Sequence, residues 1–279
     1  MRIISWNVQG PKKTQVLQEI FFLKRKHKPQ IMFLLETLVN KKNILDILPK
    51  MSFEHFEYVE PANHSGGLAV LWDNGVIHAS VLKKKQRAIH MLVCDTVKKC
   101  NSIISGVYAP AQTQDKDRLW DPLTQLHHVI DLPWCINGDL NELANPTEKK
   151  GGERYPLPKF ARLNNFLDRI NGVSVQFTGY PFTWKKRLHN HLIYERLDRA
   201  ITRNDWGILY SDSITKHGTF SCSDHCPITF SAFNRIRRRK NLPFLFQNYW
   251  CQYRQLDPIV GKQWQSHIQV QKCLNSHRS

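Results

Sequence analysis

Five short stretches of this 279-residue chain place a polar side chain able to do chemistry at the edge of an apolar run. Asn7 follows residues 3–6, Glu36 closes Ile31–Leu35, Tyr108 follows 103–107, Asp139 and Asn141 follow 134–136, and Asp224-His225 precedes 227–233. Ends of strands are where open α/β sheets present ligands. Gathered at one sheet edge, these groups would form a cup of carboxylates and amides with one imidazole. Such donors suit a hard divalent cation, Mg²⁺ or Mn²⁺, beside a phosphate. Each alone also fits a quieter role. Asn7 and Gly138-Asp139-Leu140-Asn141 read as turns, Glu36 as a solvated strand end, Tyr108 as a packed ring and His225 as a structural imidazole. Their joint occurrence favours a site.

The elements that must position them read as an α/β sandwich. Residues 2–8 predict a strand, a helix starts at Thr14 with Val16, Leu17, Ile20, Phe21 and Leu23 at helical spacing, and Lys28-Pro29 stops it before the strand Ile31–Leu35. Residues 53–59, 67–72, 76–82, 88–94 and 102–108 are β-rich runs too closely spaced for crossover helices, so antiparallel pairing is expected. Helices over 115–130 and 159–170 and strands over 134–137, 182–184, 195–201 and 227–233 complete the pattern. The expected fold is a four-layer α/β sandwich of two packed, mostly antiparallel β-sheets flanked by helices, covering residues 1–233.

Forty Lys or Arg against 23 Asp or Glu give a formal charge of +17, which directs attention to phosphate-bearing polymers or anionic surfaces. No apolar run reaches the roughly 18 residues of a membrane span. The start lacks a secretory signal, so a nuclear or cytoplasmic, non-secreted protein is expected. Seven scattered cysteines suggest free thiols, and Cys222-Ser223-Asp224-His225-Cys226 lacks the second ligand pair of a closed zinc site. From residue 234 the composition shifts. Residues 235–279 carry nine Lys or Arg against the single acid Asp257 and read as a basic C-terminal linker or tail.

Trp6-Asn7, Leu35-Glu36-Thr37, Val107-Tyr108, Gly138-Asp139-Leu140-Asn141, Arg196-Leu197-Asp198 and Ser223-Asp224-His225 together resemble the endonuclease/exonuclease/phosphatase superfamily over about residues 1–233. Gly66–Trp72, Glu148-Lys149-Lys150-Gly151-Gly152, Phe182-Thr183-Trp184 and 195–200 look like the endonuclease domain of plant non-LTR, LINE-type retrotransposons. Residues 243–250 look like the connector that leads toward a reverse transcriptase, which is absent from this chain.

That resemblance implies a Mg²⁺-dependent nuclease. Glu36 would be the principal metal ligand, with Asn7 and Asp224 metal-associated. Asp139 would orient or deprotonate the attacking water, Asn141 hold the phosphate, and Tyr108 donate to a phosphate oxygen or the leaving group. His225 would contact the scissile phosphate, set by Asp198. Where repair-type members often carry an acid, this chain has Gln9, one negative charge fewer near the cation. DNA would meet basic rims at Lys12 and Lys13, at Lys149, Lys150 and Arg154, and at Lys185, Lys186 and Arg187 in a hairpin after Trp184. Trp184 reads as a core aromatic, and Tyr180 or His189 as a stacking side chain. Lys83-Lys84-Lys85 fits a solvated face equally well. Two other readings stay open: a phosphatase on small phosphate esters, and a nucleic-acid-binding remnant without turnover. A monomer is expected.

Overall fold

The computed structural model describes residues 1–10, 14–62, 65–188 and 191–233, together with Pro258. It opens with β1 (Arg2–Asn7), α1 (Thr14–His27), β2 (Ile31–Leu35) and the short α2 (Lys41–Leu45). Five strands follow, β3 (His55–Ala62), β4 (Ser65–Trp72), β5 (Ile77–Lys85), β6 (Ala88–Asp95) and β7 (Cys100–Tyr108), then α3 (Asp117–Val129) and β8 (Trp134–Asp139). The remainder comprises β9 (Lys149–Lys150), α4 (Ala161–Arg169), β10 (Gly172–Ser174), β11 (Phe177–Thr178), β12 (Trp184–Leu188), β13 (His191–Glu195), β14 (Asp198–Arg203), α5 (Asn204–Leu209), β15 (Ile214–His217) and β16 (Ile228–Ser231).

One sheet has the order β11-β15-β16-β1-β2-β4-β3 and the other β10-β14-β8-β7-β6-β5. In the first only β1 with β2 and β11 with β15 run parallel, and in the second only β7 with β8. The expected mostly antiparallel pair of sheets is therefore present.

Alternation along single strands shows why there are four layers. On β2, Ile31, Phe33 and Leu35 face the space between the sheets with Ile89, Met91 and Ile104 of the second sheet. Met32 and Leu34 face outward against Val16, Ile20 and Leu23 of α1. A third apolar cluster joins Val107, Trp134, Ile136 and Ile201 of the second sheet to Leu119, Trp120 and Leu123 of α3 and Leu163 and Phe166 of α4. Strands buried on both faces become continuous apolar runs in sequence. The sheets approach closely at Gly106 of β7, where a Cβ would lie 2.1 Å from Cδ1 of Phe33 on β2.

Boundaries differ from expectation where tertiary bonds intervene. Residues 195–201 form two strands: Arg196 N–H donates to Glu148 O at 3.0 Å and Leu197 N–H to Thr183 Oγ1 at 3.0 Å, drawing both amides out of the ladder. A third small sheet, β12-β13-β9, stands apart from the two main ones. The short elements α2, α5 and β15 also go beyond the expected pattern. The expected 234–279 tail, Lys12, Lys13 and His189 lie outside the described residues. Among the described residues no helix is long and apolar enough to cross a membrane.

Candidate active site

Register assembles the first half of the site. Tyr108 ends β7, Asp139 ends β8 and Asp198 begins β14, and the pairings Tyr108↔Asp139 and Asp198↔Asp139 set all three in one row across adjacent strands. Side chains in such a row share a face. All three are buried, and the row is directed toward the first sheet, where Tyr108 joins the cluster of Phe33 and Leu35 and Asp139 accepts from Asn7.

From that sheet come Asn7 and Glu36, at the ends of the parallel neighbours β1 and β2. The buried Asn7 amide joins the halves: its Nδ2 donates to Glu36 Oε2 at 2.8 Å and to Asp139 Oδ2 at 3.0 Å. Glu36 takes a left-handed φ of +54° at the edge of the cup, and Gln9 N–H donates to Asn7 Oδ1 at 3.3 Å. Asn141, with φ +47°, donates its backbone N–H to Asp139 Oδ1 at 3.0 Å and its Nδ2 to Ala109 O at 2.8 Å.

His225 closes the set from the loop before β16. Its Nδ1 lies 2.8 Å from Asp198 Oδ2, and its Nε2 is 3.7 Å from Asp139 Oδ2. One ligand atom from each of Asp139, Asp198 and His225 lies within 4.8 Å of the other two, and Asp198 Oδ1 is buried without a hydrogen-bond partner. Glu36 and Asp139, one on each side of the Asn7 amide, supply hard carboxylate oxygens of the kind a divalent cation takes. The chemistry of the donors thus fits the implied ion.

Asp224 has a different setting from the other candidate ligands. Its Oδ2 accepts from Trp184 Nε1 at 2.9 Å, so its carboxylate faces the indole and adds negative charge behind His225. Trp184 is half-buried, and its backbone bridges to His225.

Electrostatics follow from burial and these neighbours. Burial would lower His225, but the carboxylates of Asp198, Asp139 and Asp224 outweigh it and push the imidazole up to about 10. Burial, reinforced by Asp198, pushes Asp139 up to about 7 against the pull of His225. Burial first, then the charges of Glu36 and Asp139, raises the Tyr108 hydroxyl, so it stays a donor. Because His225 binds its proton more tightly folded than unfolded, its contribution is complete below about pH 6.5 and is lost as pH rises through about 10. Asp198→Asn removes the main charge that raises it. Melting temperatures measured between pH 6 and 10 should fall with pH in the parent and much less steeply in this variant; parallel curves would contradict the assignment.

The model of the Endonuclease/Exonuclease/phosphatase family matches residues 4–225. The chain belongs to this family. No curated protein matches it in sequence. Solved structures share the fold at low identity. The endonuclease domain of TRAS1, a telomere-specific non-LTR retrotransposon, is 11% identical with a TM-score of 0.60, covering 82% of this chain and 96% of its own. An AP endonuclease, LMAP, from Leishmania major is 15% identical with a TM-score of 0.64, over 82% and 86% of the two chains. A 3′-5′ exonuclease, NExo, from Neisseria meningitidis is 15% identical with a TM-score of 0.60, over 83% and 99%.

Within this family fold several supporting residues went unnoticed in sequence. Thr183 Oγ1 accepts the backbone N–H of Leu197 and, at 2.9 Å, that of Asp198, fixing the start of β14. Ser223 Oγ donates to Asn7 O at 2.8 Å and accepts from His225 N–H at 3.1 Å, tying the histidine loop to β1. Lys116, fully buried, donates from Nζ to Asn141 O at 2.6 Å and pairs with Glu142 at 3.0 Å. Thr183 and Ser223 lie inside motifs that could have flagged them; Lys116 has no local signal.

The expected DNA-facing cations divide. Lys150 and Arg154 are exposed, as are Lys186 and Arg187 on the β12–β13 hairpin; Lys185 is half-buried over the Phe220 ring. Lys149 is turned inward: its Nζ lies 2.8 Å from Glu195 Oε1 with both side chains only 8% exposed, and it sits over the Tyr155 ring. A buried, paired ammonium is not offered to a polyanion. Tyr180 is 43% exposed and contacts Phe182, Tyr194 and Phe220 by ring edges.

Proposed function

We propose that the chain is a divalent-metal-dependent DNA endonuclease of the LINE type, which nicks one strand and leaves a 3′-hydroxyl and a 5′-phosphate. The observation that carries this reading is the convergence of Glu36, Asp139 and His225 about the Asn7 amide, with His225 oriented by Asp198. Glu36, with Asn7 beside it, would hold Mg²⁺ or Mn²⁺, which when bound supplies positive charge to a phosphate. Asp139, raised toward neutrality, accepts a proton from the attacking water. Water adds to phosphorus as the P–O3′ bond breaks. Protonated His225 faces a non-bridging oxygen, and Asn141 and Tyr108 complete the donors. The leaving 3′ oxygen takes its proton within this set of donors. A target in the nucleus and action as a monomer accompany the proposal.

Supercoiled plasmid tests it. Relaxation with Mg²⁺ that stops in EDTA and is lost in His225→Ala is the expected result. Hydrolysis of small phosphate esters with intact plasmid would assign the site to a phosphatase. Plasmid retention without relaxation would leave a binding protein. Binding should also weaken steeply with salt, as counterions released by several phosphates require.

A further inference from the structure

The run Lys83-Lys84-Lys85 looks like a solvated edge in sequence, yet the structure sorts its three cations. β5 pairs with β6 in regular register through Val81↔Met91, and resumes at Lys83↔His90 after a bulge that leaves Leu82 extra. Before the bulge Ala79 and Val81 pack toward the space between the sheets. After it the alternation is inverted. Lys84 now faces inward, opposite Ile89, and its Nζ lies 2.6 Å from Glu57 Oε2 on β3. Lys83 and Lys85 are turned out, opposite His90 and Ala88, onto the α3 side. A bulge that re-aims side chains is a built feature of a sheet edge.

These two lysines line a groove between the β5–β6 hairpin and α3 together with Arg87 and Arg118, and no acidic side chain lines it. One wall touches a site residue, and the other lies close in sequence to a residue that supports one. Arg87 has its guanidinium 5.2 Å from the centre of the Tyr108 ring, and its carbonyl accepts the Tyr108 N–H at 3.0 Å. On the other wall Arg118 follows, two residues on, the Lys116 that supports Asn141; it is 85% exposed and pairs with Asp115 at 3.1 Å. Lys83 and Lys85, two apart on one strand, stand about 6.7 Å apart along it. The groove floor is apolar, with Ala88 and Leu123 buried there, and offers no competing anion.

We propose that this groove carries the sugar–phosphate backbone of one DNA strand away from the scissile phosphate, with Lys83, Lys85, Arg87 and Arg118 as its phosphate contacts. The proposal rests on the DNA reading above, and continuity with the site selects a nucleic acid over an acidic protein as occupant. The charges are exposed, so their effect is read as binding and its salt dependence.

The test measures binding of a synthetic duplex two helical turns long, in EDTA so that nothing is cut. The triple variant Lys83→Gln, Lys85→Gln, Arg118→Gln should bind about 10- to 50-fold more weakly at low salt, with the slope of log affinity against log salt smaller by about 2 to 3. Lys84→Gln, which removes the same charge one residue away, should leave affinity and plasmid nicking unchanged. Equal slopes in parent and triple variant would overturn the groove proposal, as would an equal loss in Lys84→Gln. Polyglutamate binding that is lost in the triple variant while duplex binding is unchanged would reassign the groove to an acidic protein. A parent that neither binds nor nicks DNA fails at the earlier reading instead.

Discussion

Asp139→Asn is expected to reduce Mg²⁺-dependent nicking by about 10²- to 10⁴-fold, the range for losing a positioned general base or a preorganised charge. The substitution is nearly isosteric, so what changes is charge and one polarity. Oδ1 can still accept the Asn141 N–H, but the group replacing Oδ2 faces the Asn7 Nδ2, donor against donor, and no longer balances His225. The melting temperature should stay close to the parent's, because relief of the buried carboxylate, which burial pushes to about 7, offsets the lost charge facing His225 and the donor–donor contact at Asn7. Activity lost while the melting temperature is kept marks a catalytic role. Nicking within tenfold of the parent would remove Asp139 from the chemistry.

The second large effect concerns stability. Glu148 accepts from Arg196 Nη1 at 3.0 Å, from Arg199 Nη1 at 3.1 Å and from Arg199 Nη2 at 2.8 Å, with Arg199 fully buried. Burial opposes its ionisation, but the two guanidiniums win and hold its carboxyl below the usual range. Glu148→Ala leaves two buried cations without their counter-charge, which costs about 3–5 kcal/mol. For a body of this size that is a fall in melting temperature of roughly 6–20 °C. Adding Arg199→Met should recover part of it, since one stranded charge is then gone. A shift of less than about 2 °C on Glu148→Ala would show that the cluster carries little.

How far the site was readable in sequence depends on whether a residue's task is local. Asn7, Glu36, Tyr108, Asp139 and His225 stand at ends of apolar runs, and strand ends converge in a sandwich, so their meeting could be anticipated. Cations could not be sorted that way. Lys149 and Lys150 look alike as neighbours, yet one is buried against Glu195, 46 positions away, and the other is exposed. Arg196 and Arg199 flank the motif aspartate but act through Glu148, a partner that only the folded chain supplies. Short elements were missed for a related reason: β9 has two residues and α5 six, too few to show a period.

The row of Tyr108, Asp139 and Asp198 has a consequence for how such a molecule matures. Strand side chains alternate, so sliding β14 by one position along β8 would send Asp198 to the opposite face and bring Leu197 or Arg199 opposite Asp139. Misaligned chains would therefore be compact but chemically silent. The three side chains line up only in copies whose central ladder has closed in this one register.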